Sequence, residues 1–259
     1  MGTVKVKNIT IGEGIPKVCI PIVGNSKEEV IETANTIQNQ KADLAEWRVD
    51  WFEEAYYSGE AYDWALIEEI LEQLHKILVD IPLIFTFRTI NEGGKQNLEP
   101  EIYENLLLQA INSQYVDIID IEVFISESAV KRLIACAHEK GVIVIGSNHD
   151  FQKTPKKEEI LSRLRYMQQL SVDIPKIAVM PHSMADVLVL LEATVLMNQQ
   201  YADRPVITMS MSKLGVISRI SGQIFGSAVT FAAIGTDSAP GQIPAGDMYT
   251  ILRLLDKNR

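Results

Sequence analysis

The sequence predicts an α/β fold, a single (β/α)8 TIM barrel over residues 1–259 with an N-terminal β-hairpin closing the barrel bottom. Three observations point there. Short β-rich runs alternate with longer amphipathic segments almost without interruption. Eight such strand–helix units in 259 residues match the usual length of this barrel. A doubly wound open sheet is the alternative, but no Gly-x-Gly-x-x-Gly turn follows the first strand, so its dinucleotide signature is missing.

The elements follow in order. Val4–Ile11, with Lys7-Asn8 near its middle, reads as a small hairpin. The strands fall near Val18–Val23, Leu44–Asp50, Leu83–Arg88, Val116–Glu122, Val142–Asn148, Ile174–Met180, Val206–Ser210 and Ala228–Ile234. Between them lie helical segments Lys27–Asn39, Asp63–Leu78, Glu101–Ser113, Glu127–Lys140, Lys156–Leu170, Met184–Gln199 and a shorter Leu214–Ile220, and Ala245–Asp256 closes the series. Gly141 after Lys140 suits a C-cap, and Ser126 before Glu127 suits an N-terminus.

Composition narrows the function classes. A 47% hydrophobic content supplies a large core, and the absence of low-complexity tracts argues against disorder. A net charge of −10 opposes nucleic acid or an anionic membrane as a general partner, because the field repels phosphate. It leaves open a small anion gripped by local arginines. Cys19 and Cys136 sit in apolar runs, as reduced core thiols do in a cytosolic protein. Met1 to Ile11 lacks a signal-peptide core and no apolar stretch reaches membrane-spanning length, so a cytoplasmic protein is expected.

Alternate residues of a barrel strand face the interior, which is apolar except where strand ends carry active-site groups. Here the exceptions crowd together. Glu46, Arg48 and Asp50 share one face of the second strand, opposite Trp47 and Val49. The third strand ends in Phe87-Arg88, followed by Asn91-Glu92-Gly93-Gly94, and the fourth ends Asp120-Ile121-Glu122. Solvated edges or loop charges explain any one of these runs, but three consecutive strands are harder to dismiss.

Two residue types bring chemistry. His149 ends the fifth strand in Ser147-Asn148-His149-Asp150, where an imidazole exchanges protons near neutral pH, or else ties loop carbonyls. His182, after the sixth strand, is a second candidate, while His75 and His138 fall in helical patterns and read as surface or capping residues. Lys176 alternates with Ala178 and Met180 in the sixth strand. If that face is the interior, desolvation favours the neutral amine, which attacks ketones to form an imine. Its position early in the strand equally fits an exposed lysine. Arg219, on a helix after the seventh strand, suits a carboxylate clamp. The loop Gly235-Thr236-Asp237-Ser238-Ala239-Pro240-Gly241-Gln242 suits a lid or a plain connection.

The segments Glu46–Asp50, Phe85–Arg88, Ser147–Phe151, Pro175–Met180, Met209–Ser212 and Ser238–Gln242 resemble, in order, those of type I 3-dehydroquinate dehydratases. That resemblance implies a cofactor-free barrel lyase of the shikimate pathway, commonly a homodimer, acting on the small molecule 3-dehydroquinate. It implies catalysis by Lys176 through a Schiff base, with His149 as general acid–base and Glu92 orienting it. It further implies substrate binding by Glu46, Arg48, Arg88, Arg219, Ser238 and Gln242, and no metal. One departure is visible: some members carry serine where this chain has Pro21, so that contact does not carry over. The rivals are a class I aldolase on the same barrel, a magnesium enzyme using Glu46, Asp120 and Glu122, and a small-anion binding protein on an old barrel.

Overall fold

The computed structural model describes residues 2–40, 42–57, 61–235 and 238–257. Its elements follow the (β/α)8 TIM-barrel pattern, with parallel strands Lys17–Ile22, Leu44–Arg48, Leu83–Thr86, Ile118–Glu122, Ile143–Asp150, Ile174–Val179, Ile207–Ser210 and Val229–Ala233. Each predicted strand is present, and each predicted helix is present with ends shifted by a few residues. The chain divides into two compact units, Pro21–Ile145 and Met1–Ile20 with Gly146–Arg259.

In the Pro21–Ile145 unit, the second, third and fourth strands pair in parallel. Glu46 stands opposite Ile84, Arg48 opposite Thr86, and Thr86 opposite Asp120. Residues in one register row point to one side. The other side is aromatic and faces helices: Trp47 packs edge-on to Phe85 at 5.8 Å, and Phe87 packs on Tyr103 of helix Pro100–Ser113 at 6.0 Å. The polar row therefore lies on the side turned away from the helices.

In the other unit, the sixth strand pairs with the seventh, Lys176 opposite Ile207, and the eighth with the first, Phe231 opposite Cys19. The seventh and eighth meet at the Val206–Ser227 bridge. There the Ser227 hydroxyl accepts from Thr208 N at 3.0 Å and donates to Thr208 O at 3.1 Å, supplying ladder bonds that the backbone omits. The hairpin Val4–Val6 with Ile9–Ile11 forms as expected, turning at Lys7 with φ +46°. Gly2 N donates to Asp203 O, which ties the hairpin to the segment entering the seventh strand, at its amino-terminal end.

Local differences have physical causes. The helix expected to reach Gln199 ends at Leu196 and widens into a π turn, Met197–Tyr201. There the Asn198 amide donates to both Thr194 O and Gly226 O, drawing the backbone outward. Gly141 is the left-handed C-cap predicted, but the Ser126 hydroxyl pairs with Ser128 instead of capping. Neither cysteine is in a disulfide; Cys19 is buried, whereas Cys136 is partly exposed on its helix rather than in the core. No described helix is long and apolar enough to cross a membrane.

Candidate active site

In the Pro21–Ile145 unit the polar row becomes a buried ionic network. Glu46, Arg48, Asp50, Arg88, Glu92, Asp120 and Glu122 are all less than 9% exposed. Arg48 grips Asp50 bidentately, with Nε and Nη2 each 2.8 Å from a carboxylate oxygen. Asp50 also accepts from the Arg88 and Lys95 backbone amides, so it fixes the loop after the third strand. Arg88 donates through Nη2 to Asp120 at 2.8 Å and through Nη1 to Glu122 at 3.0 Å, and its Nη1 lies 3.7 Å from Glu92. Glu46 accepts from the Thr86 hydroxyl at 2.9 Å.

Burial works to lower the pKa of both guanidinium groups, and the surrounding carboxylates reverse it. Arg48 ends above its ordinary value through Asp50 and Glu46. Arg88 ends well above through Asp120, Glu122, Glu92 and Glu46. Both remain cations. Burial, together with the charge of Glu122, pushes the Tyr103 phenol well above its usual range, so its oxygen stays neutral and accepts Glu122 N at 3.0 Å. The side chains proposed as magnesium ligands are thus engaged with Thr86, Arg88 and Thr89. Among the described residues no group of three or more His, Cys, Asp or Glu side chains is arranged to hold a metal.

In the other unit, Lys176 is 3% exposed, which decides between the two readings of its place in the strand. Its Nζ sits over the Phe231 ring, 4.8 Å from the centroid. Phe231 lies on the eighth strand, two strands away, and side chains two strands apart meet only on the inner side of a curled sheet. Thr208, of opposite parity on the seventh strand, instead bonds Thr194 of helix Met184–Leu196 at 2.7 Å. His149 is half-buried at the end of the fifth strand, the hydrogen-bonded neighbour of the Lys176 strand. His182 is exposed, with Nε2 on Gln152 O at 2.5 Å, a loop-tying role.

Arg219 is 2% exposed; Nη1 lies 3.9 Å from Met209 Sδ and Nη2 donates to Pro240 O at 2.9 Å. The 238–242 segment is held from within as well: Ser238 N donates to Gln242 Oε1, and Gln242 Nε2 to Ser238 Oγ, both at 2.9 Å. Gly241, φ +81°, lies against Ser212 O, where a Cβ would come within 2.3 Å. Thr236 and Asp237 of the expected lid lie outside the described residues.

The Pro21–Ile145 unit thus brings together Glu46, Arg48, Arg88 and Glu92, while Lys176, His149, Arg219, Ser238 and Gln242 belong to the other. In the sequence Asp50, Asp120 and Glu122 stand out as charges without a positioning role, and Thr89, Met209 and Phe231 carry no role of their own. Spacing of Asp120 and Glu122 by two on one strand was the available signal for the first group; an ordinary Thr, Met or Phe carries none.

Parallel strands alternating with helices, with a lysine buried within one strand and buried ion pairs at the carboxyl ends of others, define a barrel enzyme. Comparison with known proteins places it further. The model of the type I 3-dehydroquinase family matches residues 18–259. A 3-dehydroquinate dehydratase of Clostridioides difficile (strain 630) is 51% identical over 255 residues, covering 98% of each chain. One of Bacillus subtilis (strain 168) is 46% identical, covering 100% of this chain and 99% of its own. Among solved structures, the type I enzyme of Clostridium difficile with covalent modified comenic acid superposes with a TM-score of 0.95 at 50% identity, covering 100% and 99% of the two chains. The enzyme of Geobacillus kaustophilus HTA426 gives 0.93 at 36%, covering 99% and 97%. The chain belongs to the type I 3-dehydroquinase family and is an enzyme of that type, a lyase of the shikimate pathway.

Proposed function

We propose that this chain, as one catalytic domain, dehydrates 3-dehydroquinate to 3-dehydroshikimate through an imine on Lys176. The observation that carries the reading is the burial of that amine on the inner side of its strand against an aromatic ring. A related enzyme captured with a covalently modified organic acid supports it.

The Lys176 amine adds to the substrate ketone and water leaves, giving a protonated imine. That cation receives the electrons of the neighbouring C–H bond as His149 takes the proton, leaving an enamine. The enamine expels the β-hydroxyl, which departs as water with the proton returned by His149. Hydrolysis of the iminium releases the enone and the free amine. The net loss is one water. Glu92 holds the imidazole, Arg219 takes the carboxylate, and Glu46, Arg48, Arg88, Ser238 and Gln242 hold the hydroxyls. General acid–base transfer contributes ~10²–10⁴-fold, leaving the imine and the oriented site to supply the remainder.

Borohydride added to the chain with 3-dehydroquinate, followed by peptide mass mapping, should find the reduced adduct on the Lys176 peptide, and Lys176→Ala should abolish both adduct and turnover. An adduct elsewhere, or turnover retained by Lys176→Ala, would end the proposal. Water loss without carbon–carbon cleavage in the product separates the reaction from an aldolase. The family reading also carries a cytoplasmic homodimer; a mass from light scattering equal to one chain would remove the dimer.

A further inference from the structure

We infer that Thr89, clamped by Glu122, is a positioning residue for Glu92, and that Glu122 holds Arg88 in place by the same grip. The inference rests on the role given to Glu92 above.

Glu122 is 1% exposed at the end of the fourth strand. Its two oxygens are spread over one short stretch of the neighbouring loop. Oε1 accepts from Arg88 Nη1 at 3.0 Å and Thr89 N at 2.9 Å, and Oε2 accepts from the Thr89 hydroxyl at 2.7 Å. Thr89 passes that anchorage onward. Its carbonyl accepts from Glu92 N at 3.0 Å and from Gly94 N at 2.8 Å, closing the turn that carries Glu92. The turn runs through a 3-10 segment, Ile90–Glu92, to Gly93 in the left-handed region at φ +87°. Gly94 is pressed against Arg88 O, where a Cβ would come within 1.7 Å. The chain of bonds is therefore continuous from the fourth strand through Thr89 to the Glu92 backbone.

Packing alone does not set this turn. A groove of about 360 Å³ runs alongside it, bordered by Thr89, Asn91, Glu92, Tyr103, Glu122 and Phe124. A turn bordered by a groove relies on directed bonds, as well as packing, to keep its place. Charge-assisted bonds to a buried carboxylate are the strong kind. Burial of Thr89 to 5% makes its hydroxyl bond to Glu122 a fixed feature and not a surface accident.

The test compares Thr89→Val, which keeps the shape and deletes the hydroxyl, with Thr89→Ser, which restores it. Thr89→Val should lower kcat roughly tenfold, within the ~10²-fold that a 1 Å misplacement costs, with KM changed less than about twofold. Thr89→Ser should return kcat to near the parent value. Glu122→Gln, which also loosens Arg88, should lower kcat and raise KM together. Amide exchange at Glu92 and Gly94 should quicken in Thr89→Val, and this readout needs no turnover, so it judges the clamp even if the parent enzyme forms no Lys176 adduct. A parent-like kcat in Thr89→Val, unchanged exchange at those two amides, or a Thr89→Ser variant as slow as Thr89→Val would each overturn the inference. If Thr89→Val does not fold, Glu122→Gln is judged in its place: unchanged kcat and KM would overturn it, and the paired change would support it.

Discussion

Arg88→Met replaces a buried guanidinium by a shorter, uncharged chain and leaves Asp120, Glu122 and Glu92 facing one another without that cation. The contacts in question are 2.8, 3.0 and 3.7 Å. At about 3 Å and an effective permittivity of about 20, one such contact has a gross attraction of roughly 5 kcal/mol. Desolvation of the groups offsets much of this, and removal of one partner from a buried pair leaves a net loss of about 3–5 kcal/mol. For a chain of this size that lowers the Tm by roughly 6–20 °C. Arg88→Met combined with Glu122→Gln should recover part of the loss, because one unpaired charge is gone. Urea unfolding of the single and double variants at pH 7 measures both quantities. A single-variant loss below about 1 kcal/mol, or a double variant no more stable than the single, refutes the account of the network as a mutually compensated set of charges.

Arg219→Ala should raise KM for a carboxylate substrate by at least tenfold while sparing Lys176 adduct formation at saturating concentration; steady-state kinetics and borohydride trapping read the two separately. Gly94→Ala places a Cβ within 1.7 Å of Arg88 O, so the turn must move. A stability loss of about 3 kcal/mol or more by urea unfolding, with a larger fractional loss of activity, is expected, and a parent-like variant contradicts the geometry. Asp186→Asn removes a capping box in which the His182 and Ser183 amides hold the Asp186 carboxylate below its ordinary value. The native group stabilises at pH above the unfolded carboxylate pKa and loses that effect as pH falls through its folded value. The variant should therefore be weaker by about 1 kcal/mol or less near pH 7 and approach the parent as the pH falls below the ordinary carboxylate range, by thermal unfolding at each pH.

Period-two alternation made the eight strands legible, because a strand with Glu46, Arg48 and Asp50 on one face and Trp47 and Val49 on the other admits few placements. The same alternation located the charged row, whose members turned out to be partners of one another. What it did not supply was the direction of Lys176. Spacing alone put that lysine early in its strand, and only the curl that sets Phe231 beneath its Nζ decides between solvent and interior. Thr89 was illegible for a different reason. Its role lies in bonds to a carboxylate 33 positions later and to amides three and five positions on, and no residue type announces that conjunction. Charges declare themselves in a sequence because burying them is costly unless they are paired. Groups that only hold charges in place, such as a hydroxyl, a thioether or a ring, carry no such cost, so they become visible only when the chain has folded around them.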